Sequence, residues 1–161
     1  MVCGFTGHRP EKLPWGYAET DPRCKALKLR LRQVILEQIT DGADVFLCGM
    51  ARGCDFYFAE AVLELKAAGH AIRLEAMLPC PEQAERWPLA DRERYEGLRR
   101  RCDAVYLLED AYTDGCMLRR NRAMVKMARR LISVWDGSHG GTEATVRYAG
   151  RLGVDVVPLW L

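Results

Sequence analysis

Asp44-Val45-Phe46-Leu47-Cys48-Gly49-Met50-Ala51-Arg52-Gly53-Cys54-Asp55 is the stretch whose reading decides the fold. Asp44 to Cys48 is a short apolar run, the mark of a strand buried on both faces. Gly49 stops it. Asp55 to Ala68 is a helix, closed by Gly69. A buried strand, a glycine turn and a helix make one βα unit.

The same unit recurs outward in both directions. Val2 to Thr6 is a short apolar strand ending at Gly7, and Glu11 to Asp21, with prolines and a glycine, is a loop. Arg23 to Thr40 reads as a helix: Leu27, Leu31, Val34, Ile35 and Ile39 fall near period 3.6, and Gly42 stops it. Ile72 to Leu78 is a third strand ended by Pro79. Glu82 to Arg101 reads as helical, with Pro88 breaking it into two pieces. Ala104 to Leu108 is a fourth strand, Tyr112 to Gly115 a turn, Met117 to Arg130 a helix and Leu131 to Trp135 a fifth strand. Gly140-Gly141-Thr142 leads into a helix to Leu152, and Val154 to Leu159 is the last strand.

Apolar strands alternating with helices imply an α/β fold: one domain over residues 1–161, with a doubly wound, Rossmann-like, mainly parallel sheet covered by helices. The residues do not dictate the strand order, which comes with the fold class. Such sheets bind ligands at the carboxyl ends of their strands, where the strand order switches. The informative residues are therefore those just after each strand.

Composition narrows the classes. The chain has 161 residues, enough for a core without covalent staples, and its 49% apolar and 29% charged content is that of a globular protein. A net charge of +2 means that any basic site is local. Seven cysteines include no CxxC pair, and His8, His70 and His139 do not space with them as zinc ligands would. No metal site is expected, and the cysteines read as free thiols of a reducing cytoplasm. No signal peptide and no membrane span is expected either, because no apolar run approaches the ~20 residues a span needs.

Three turns follow strands. Gly7-His8-Arg9-Pro10 pairs a glycine that lets a ligand approach with a guanidinium that forks onto phosphate oxygens. A plain turn with a surface arginine is the bland alternative. Gly49 to Asp55, with Arg52 and Gly53 inside it, opens a helix whose free N–H groups and dipole favour an anion. Asp55 can serve as N-cap or accept from a ribose hydroxyl. Asp136-Gly137-Ser138-His139-Gly140-Gly141-Thr142-Glu143 is a second such cradle; here Thr142 as N-cap and Glu143 as a dipole-compensating acid form the plain reading. Neither turn is a GxGxxG or Walker A loop.

Within Met117 to Arg130, the residues Met117, Leu118, Met124, Val125 and Ala128 fall on one side and face the sheet. Arg119, Arg122, Lys126, Arg129 and Arg130 form a basic stripe opposite, either a solvated face or a nucleic-acid patch. Asn121 falls on the apolar side near the helix start and needs partners; Arg120 points away from the stripe toward the same edge. Trp135 ends the fifth strand, where it can pack or stack on a base. No GxSxG elbow and no Cys–His signature appears, and nothing in the sequence pairs the acids Asp55, Asp136 and Glu143.

These residues resemble a known family. Gly4-Phe5-Thr6-Gly7-His8-Arg9-Pro10 with Lys12-Leu13, the turn from Gly49 to Asp55, Arg120-Asn121 with Met124-Val125, and Trp135-Asp136-Gly137 with Gly140-Gly141-Thr142 look like the YpsA/YoqJ-type bacterial proteins of the SLOG superfamily. The resemblance runs nearly end to end and implies a Rossmann-like fold with a nucleotide-derived ligand, without bringing a defined activity. Two relatives sharpen the alternatives. The DNA-processing protein A family, which binds single-stranded DNA, has a turn similar to Gly49 to Asp55 and a helix start similar to Arg120-Asn121-Arg122. The LOG phosphoribohydrolase family shares Arg120 and Met124 and the glycines and threonine of Gly140-Gly141-Thr142, but its catalytic glutamate would fall at Thr145. Glu143 lies about 200° from Thr145 round the helix and is no simple substitute.

The leading expectation is a ligand-sensing module with no catalytic residue, whose pocket takes a nucleotide, NAD or an ADP-ribose-like compound. In it Arg9 and Arg120 supply charge, Asp55 or Asn121 reads ribose or base, and Trp135 stacks. Arg9→Ala and Gly53→Val are each expected to weaken nucleotide binding and leave the fold intact. A LOG-type N-glycosidase and a single-stranded DNA binder are the alternatives. A protein partner and a homodimer stay open.

Overall fold

The computed structural model describes residues 1–161. Six strands, β1 (Val2–Gly7), β2 (Val45–Cys48), β3 (Arg73–Leu78), β4 (Ala104–Leu107), β5 (Arg130–Trp135) and β6 (Asp155–Trp160), alternate with five helices. The helices are α1 (Pro22–Thr40), α2 (Cys54–Ala67), α3 (Leu89–Arg101), α4 (Cys116–Met127) and α5 (Gly141–Arg151). All neighbouring strands are parallel, in the order β4-β3-β2-β1-β5-β6. The chain steps outward from β1 to β4, then crosses back to lay β5 on the other side of β1. The switch point therefore falls between β1 and β5.

The two faces of the sheet differ. Helices α1, α2 and α3 share one continuous core of 31 buried residues with the strands. Helix α1 begins cleanly because Asp21 accepts from the Arg23 N–H and Pro22 sits at the first helical position. Its Cys24, Leu27, Leu31, Ile35 and Gln38 are buried at helical spacing. Phe5 of β1 stacks on Phe58 of α2 with ring centroids 4.4 Å apart, which fixes the helix against the strand that carries the site. Helices α4 and α5 cover the other face through two small clusters around Met124 and Val125. No helix is long and apolar enough to cross a membrane.

Most elements shift by only a residue or two from the sequence reading, but two differ in kind. Glu82 to Trp87 is a chain of turns, and only Leu89–Arg101 is helical. Pro81 and Pro88 bracket that segment and leave no room for a stable helix. Trp87 anchors it, packed edge-on between Phe56 and Tyr95. Helix α4 stops at Met127: Ala128 turns extended, Arg129 donates its N–H to Val2 O, and Arg130 joins β5 and pairs with Asp41. Arg129 and Arg130 thus leave the helical stripe, because the sheet ladder claims their backbone. Leu118 is exposed rather than packed on the sheet.

Candidate ligand cleft

The carboxyl ends of β1, β2 and β5 open into a cleft of about 460 Å³ at the switch point. Phe5 and Thr6 form its floor, and the loop from Gly7 to Lys12 one wall. The starts of three helices supply the rest: Ala51 and Asp55 at α2, Met117 to Asn121 at α4, and Gly140 to Thr142 with Ala144 at α5. Three positive dipole ends converge here; at α2 the Cys54 and Phe56 N–H groups are taken by His8 O and Gly53 O, which leaves unclaimed donors at α4 and α5. Arg9 stands exposed at the rim, and its guanidinium makes no hydrogen bond or ion pair within the chain.

The turn after β2 is built backbone first. Met50 has a φ of +59° and Gly53 a φ of +87°. Gly53, not Asp55, is the N-cap of α2. Asp55 Oδ2 instead accepts from the Ala51 N–H at 3.0 Å and ties the turn to the helix. A Cβ on Gly53 would lie 2.9 Å from His8 O and from Pro10 Cδ, so this glycine is where the β1 loop rests on α2.

Arg120 is the buried cation of the site, 2% exposed. Its Nη1 donates to Gly49 O, to Met77 O at 3.2 Å and to Gln83 Oε1 at 3.3 Å, while Nε donates to Asn121 Oδ1 at 2.7 Å. Asn121 Nδ2 in turn donates to Thr145 Oγ1 at 3.1 Å, linking α4 to α5. No carboxylate lies within ion-pair distance of Arg120. Burial lowers its pKa, and the field of Asp55 opposes that. Burial likewise raises the Asp55 pKa despite the attraction of Arg120. A carboxyl whose folded pKa is raised contributes most below its unfolded pKa, and the contribution fades as pH rises through the folded value. Asp55→Asn keeps an oxygen for the Ala51 N–H and removes the buried charge. It is expected to raise the melting temperature at neutral pH, with the gain shrinking in acid; thermal melts from pH 4 to 8 measure this.

His8 is 2% exposed and joins two loops. Its Nε2 lies 2.7 Å from Asp136 Oδ1 and its Nδ1 lies 3.3 Å from Thr142 Oγ1. Hydrogen bonds from Ser138 and then from His8 hold the Asp136 carboxyl well below the ordinary carboxylate range.

Of the sequence-predicted residues, Gly7, His8, Arg9, Asp55, Arg120, Asn121, Gly140, Gly141 and Thr142 come together around the cleft. Gly49 and Gly53 shape the β2 turn without lining the cleft; a Cβ on Gly49 would meet the Arg120 guanidinium at 2.6 Å. Four others are placed elsewhere. Arg52 stacks between Trp87 and Tyr17, 3.4 Å from Asp91, because those rings and that acid lie on the α3 side. Trp135 stacks on Trp160 at 5.5 Å and donates to Ser138 O, which turns it toward the β6 edge and away from any base in the cleft. Glu143 pairs with His139 and Arg147 and stays outside the lining. Asp136 reaches the cleft only through His8. Lys12, which enters the sequence reading only through the resemblance, donates to His139 O and clamps the β1 loop to the start of α5. Leu118 as an apolar wall and Gln83 as a partner of Arg120 carry no local signal in the sequence. No group of three or more His, Cys, Asp or Glu side chains is arranged to hold a metal ion.

Comparison with known proteins bears on the family and the fold. The YpsA family model, described as the YspA SLOG family, matches residues 3–151. The UPF0398 protein of Bacillus pumilus is 26% identical over 88% of this chain and 76% of its own length. The UPF0398 protein of Halalkalibacterium halodurans is 28% identical over 88% and 75%. Among solved structures, DNA processing protein A of Helicobacter pylori, a protein with a single-stranded DNA binding mode, superposes with a TM-score of 0.68 at 16% identity. DNA processing protein A of Streptococcus pneumoniae superposes with a TM-score of 0.65 at 16% identity. The alignments take in 100% and 98% of this chain but only 66% and 49% of those two chains. At that identity the likeness is one of fold.

Proposed function

The chain belongs to the YspA SLOG family, and from that membership and the cleft we propose that it binds a nucleotide-type phosphate ligand, a nucleotide or an ADP-ribose-like compound, at the β1/β5 switch point. The observation that carries this reading is the convergence of three helix starts on a cleft whose rim carries Arg9, a guanidinium that no group of the chain occupies. Helix N-termini and a free arginine fork are complementary to phosphate oxygens. Phe5, Met117 and Leu118 supply apolar surface for a base or ribose, and Asp55 an acceptor for a ribose hydroxyl.

The test is a thermal-shift titration with ADP, NAD and ADP-ribose, since a ligand of the native state raises the melting temperature by mass action. Arg9→Ala is expected to weaken the ligand roughly 10- to 100-fold, the equivalent of one charged hydrogen bond of about 1.5–3 kcal/mol. Its melting temperature without ligand should not change, because Arg9 supports nothing else. Equal affinity in the variant, or no shift with any of the three compounds, overturns the reading.

A second reading, single-stranded DNA binding, is favoured by one feature outside the cleft. Arg122 of α4 lies over the Tyr148 ring of α5, 5.5 Å from its centroid, with Lys126 exposed a turn further on. A ring and cations on one face suit bases and backbone together. Affinity for an oligonucleotide should then fall steeply with salt and vanish on charge reversal at Arg122 and Lys126. Salt-independent affinity excludes it.

A further inference from the structure

We propose that Asp136, His8 and Thr142 form an acyl-transfer relay in which Thr142 Oγ1 is the nucleophile. The substrate class is an ester joining a small acyl group to a hydroxyl of a phosphate-bearing ligand. The three side chains form one unbroken line, 2.7 Å from carboxylate to imidazole and 3.3 Å from imidazole to hydroxyl. His8 lies 128 residues from Asp136 and 134 from Thr142 in sequence and meets them only at the switch point. Two Asp136 groups face His8 Nε2, the carboxylate Oδ1 at 2.7 Å and the backbone N–H at 3.3 Å; the shorter contact to the charged acceptor places the proton on Nε2. That leaves a lone pair on Nδ1, and the Thr142 hydroxyl donates to it. The Ser138 N–H holds the same Asp136 oxygen at 2.9 Å and fixes the line at its far end.

The surroundings suit the chemistry. Thr142 is the second residue of α5, directly after the Gly140-Gly141 turn, and it lines the cleft. The N–H groups of Thr142 and Glu143, in the first turn of α5, have no acceptor inside the helix and are the nearest backbone donors for a developing oxyanion. Because Thr142 is 7% exposed, only a small acyl group can reach it.

The steps balance with water as the only co-reactant. Thr142 Oγ1 bonds to the carbonyl carbon while its proton passes to His8 Nδ1 and the carbonyl oxygen takes the electron pair. Collapse breaks the ester C–O bond, and the leaving alcohol takes the proton from His8. Water then attacks the acyl-threonine, gives its proton to His8, and Thr142 leaves as the hydroxyl, yielding acid and alcohol. Asp136 orients and stabilises the imidazolium and exchanges no proton.

The relay stands on its own geometry; the phosphate-bearing handle rests on the cleft reading above. The test is p-nitrophenyl acetate with the intact protein, followed by rapid mixing and peptide mass spectrometry. The expected result is a burst of nitrophenolate near one equivalent and a single acetyl group on Thr142. Thr142→Val should abolish the burst, Thr142→Ser should keep it, and Asp136→Asn should slow it by a factor on the order of 100 or more. Circular dichroism confirms that each variant is folded. No burst, acetylation elsewhere, or a burst surviving in folded Thr142→Val overturns the relay. If nucleotides shift the melting temperature and no burst occurs, the relay fails while the ligand reading stands. A Thr142-dependent burst without any nucleotide shift supports the relay and removes the phosphate handle.

Discussion

Gly53→Val is expected to lower the stability of this protein by roughly 2–6 kcal/mol and to shift its urea midpoint accordingly. Two costs add. At φ +87° and ψ −127° the backbone occupies a region that a β-branched residue cannot enter without strain, about 1–3 kcal/mol. The new Cβ would also lie 2.9 Å from His8 O and 3.1 Å from Pro10 N, backbone atoms that cannot swing aside. Overpacking of that kind costs about 1–3 kcal/mol more. The sequence reading took this variant to spare the fold, because a glycine in a phosphate-type turn suggests ligand approach. The geometry reverses that: the partner pressed against Gly53 is the chain's own β1 loop, reinforced by the Cys54 N–H donating to His8 O. Urea denaturation decides it; an unchanged midpoint would show that the loop yields and that the contact holds nothing.

The contrast between Gly53 and Arg9 shows which parts of the site were legible. The fold was, because apolar runs and glycine stops are local signals, and a strand followed by a glycine and a helix has few alternatives. The location of the cleft followed from topology alone, since doubly wound sheets expose ligands where the strand order reverses. What could not be read was where long side chains turn. Arg52 and Trp135 sit one or two residues from glycines of the loops around the cleft, yet both are captured by aromatic neighbours, Trp87 and Trp160, that lie distant in sequence. The link from His8 to Asp136 spans 128 residues and carries no spacing rule. The end of α4 was misjudged for a related reason: Ala128 to Leu131 contains no breaker, and only the β1 ladder pulls it out of the helix.

Arg120→Leu is expected to cost about 2–4 kcal/mol and to remove most affinity for a phosphate ligand. The leucine takes from Met77 O and Gln83 Oε1 the donor they share, while Gly49 O keeps Gln83 Nε2 at 3.2 Å. Each buried acceptor left unpaired costs about 1–3 kcal/mol, and the net is smaller than their sum because a desolvated guanidinium is removed as well. Arg120→Lys separates charge from geometry: an ammonium keeps the positive field but cannot span the carbonyls and Asn121 together. It should therefore recover affinity better than stability. Gly49 supplies the internal check. Gly49→Ala drives a Cβ to 2.6 Å from the Arg120 guanidinium, so in the parent it should be destabilising. In the Arg120→Leu background the obstructing group is gone and the same alanine should cost much less. A double-mutant cycle by urea denaturation should thus return a coupling of about 1–3 kcal/mol, the range for residues in direct contact. Additive costs would mean that Gly49 is glycine for some reason other than Arg120. The buried arginine would then be a packing element of α4 rather than the cation around which the β2 turn is shaped.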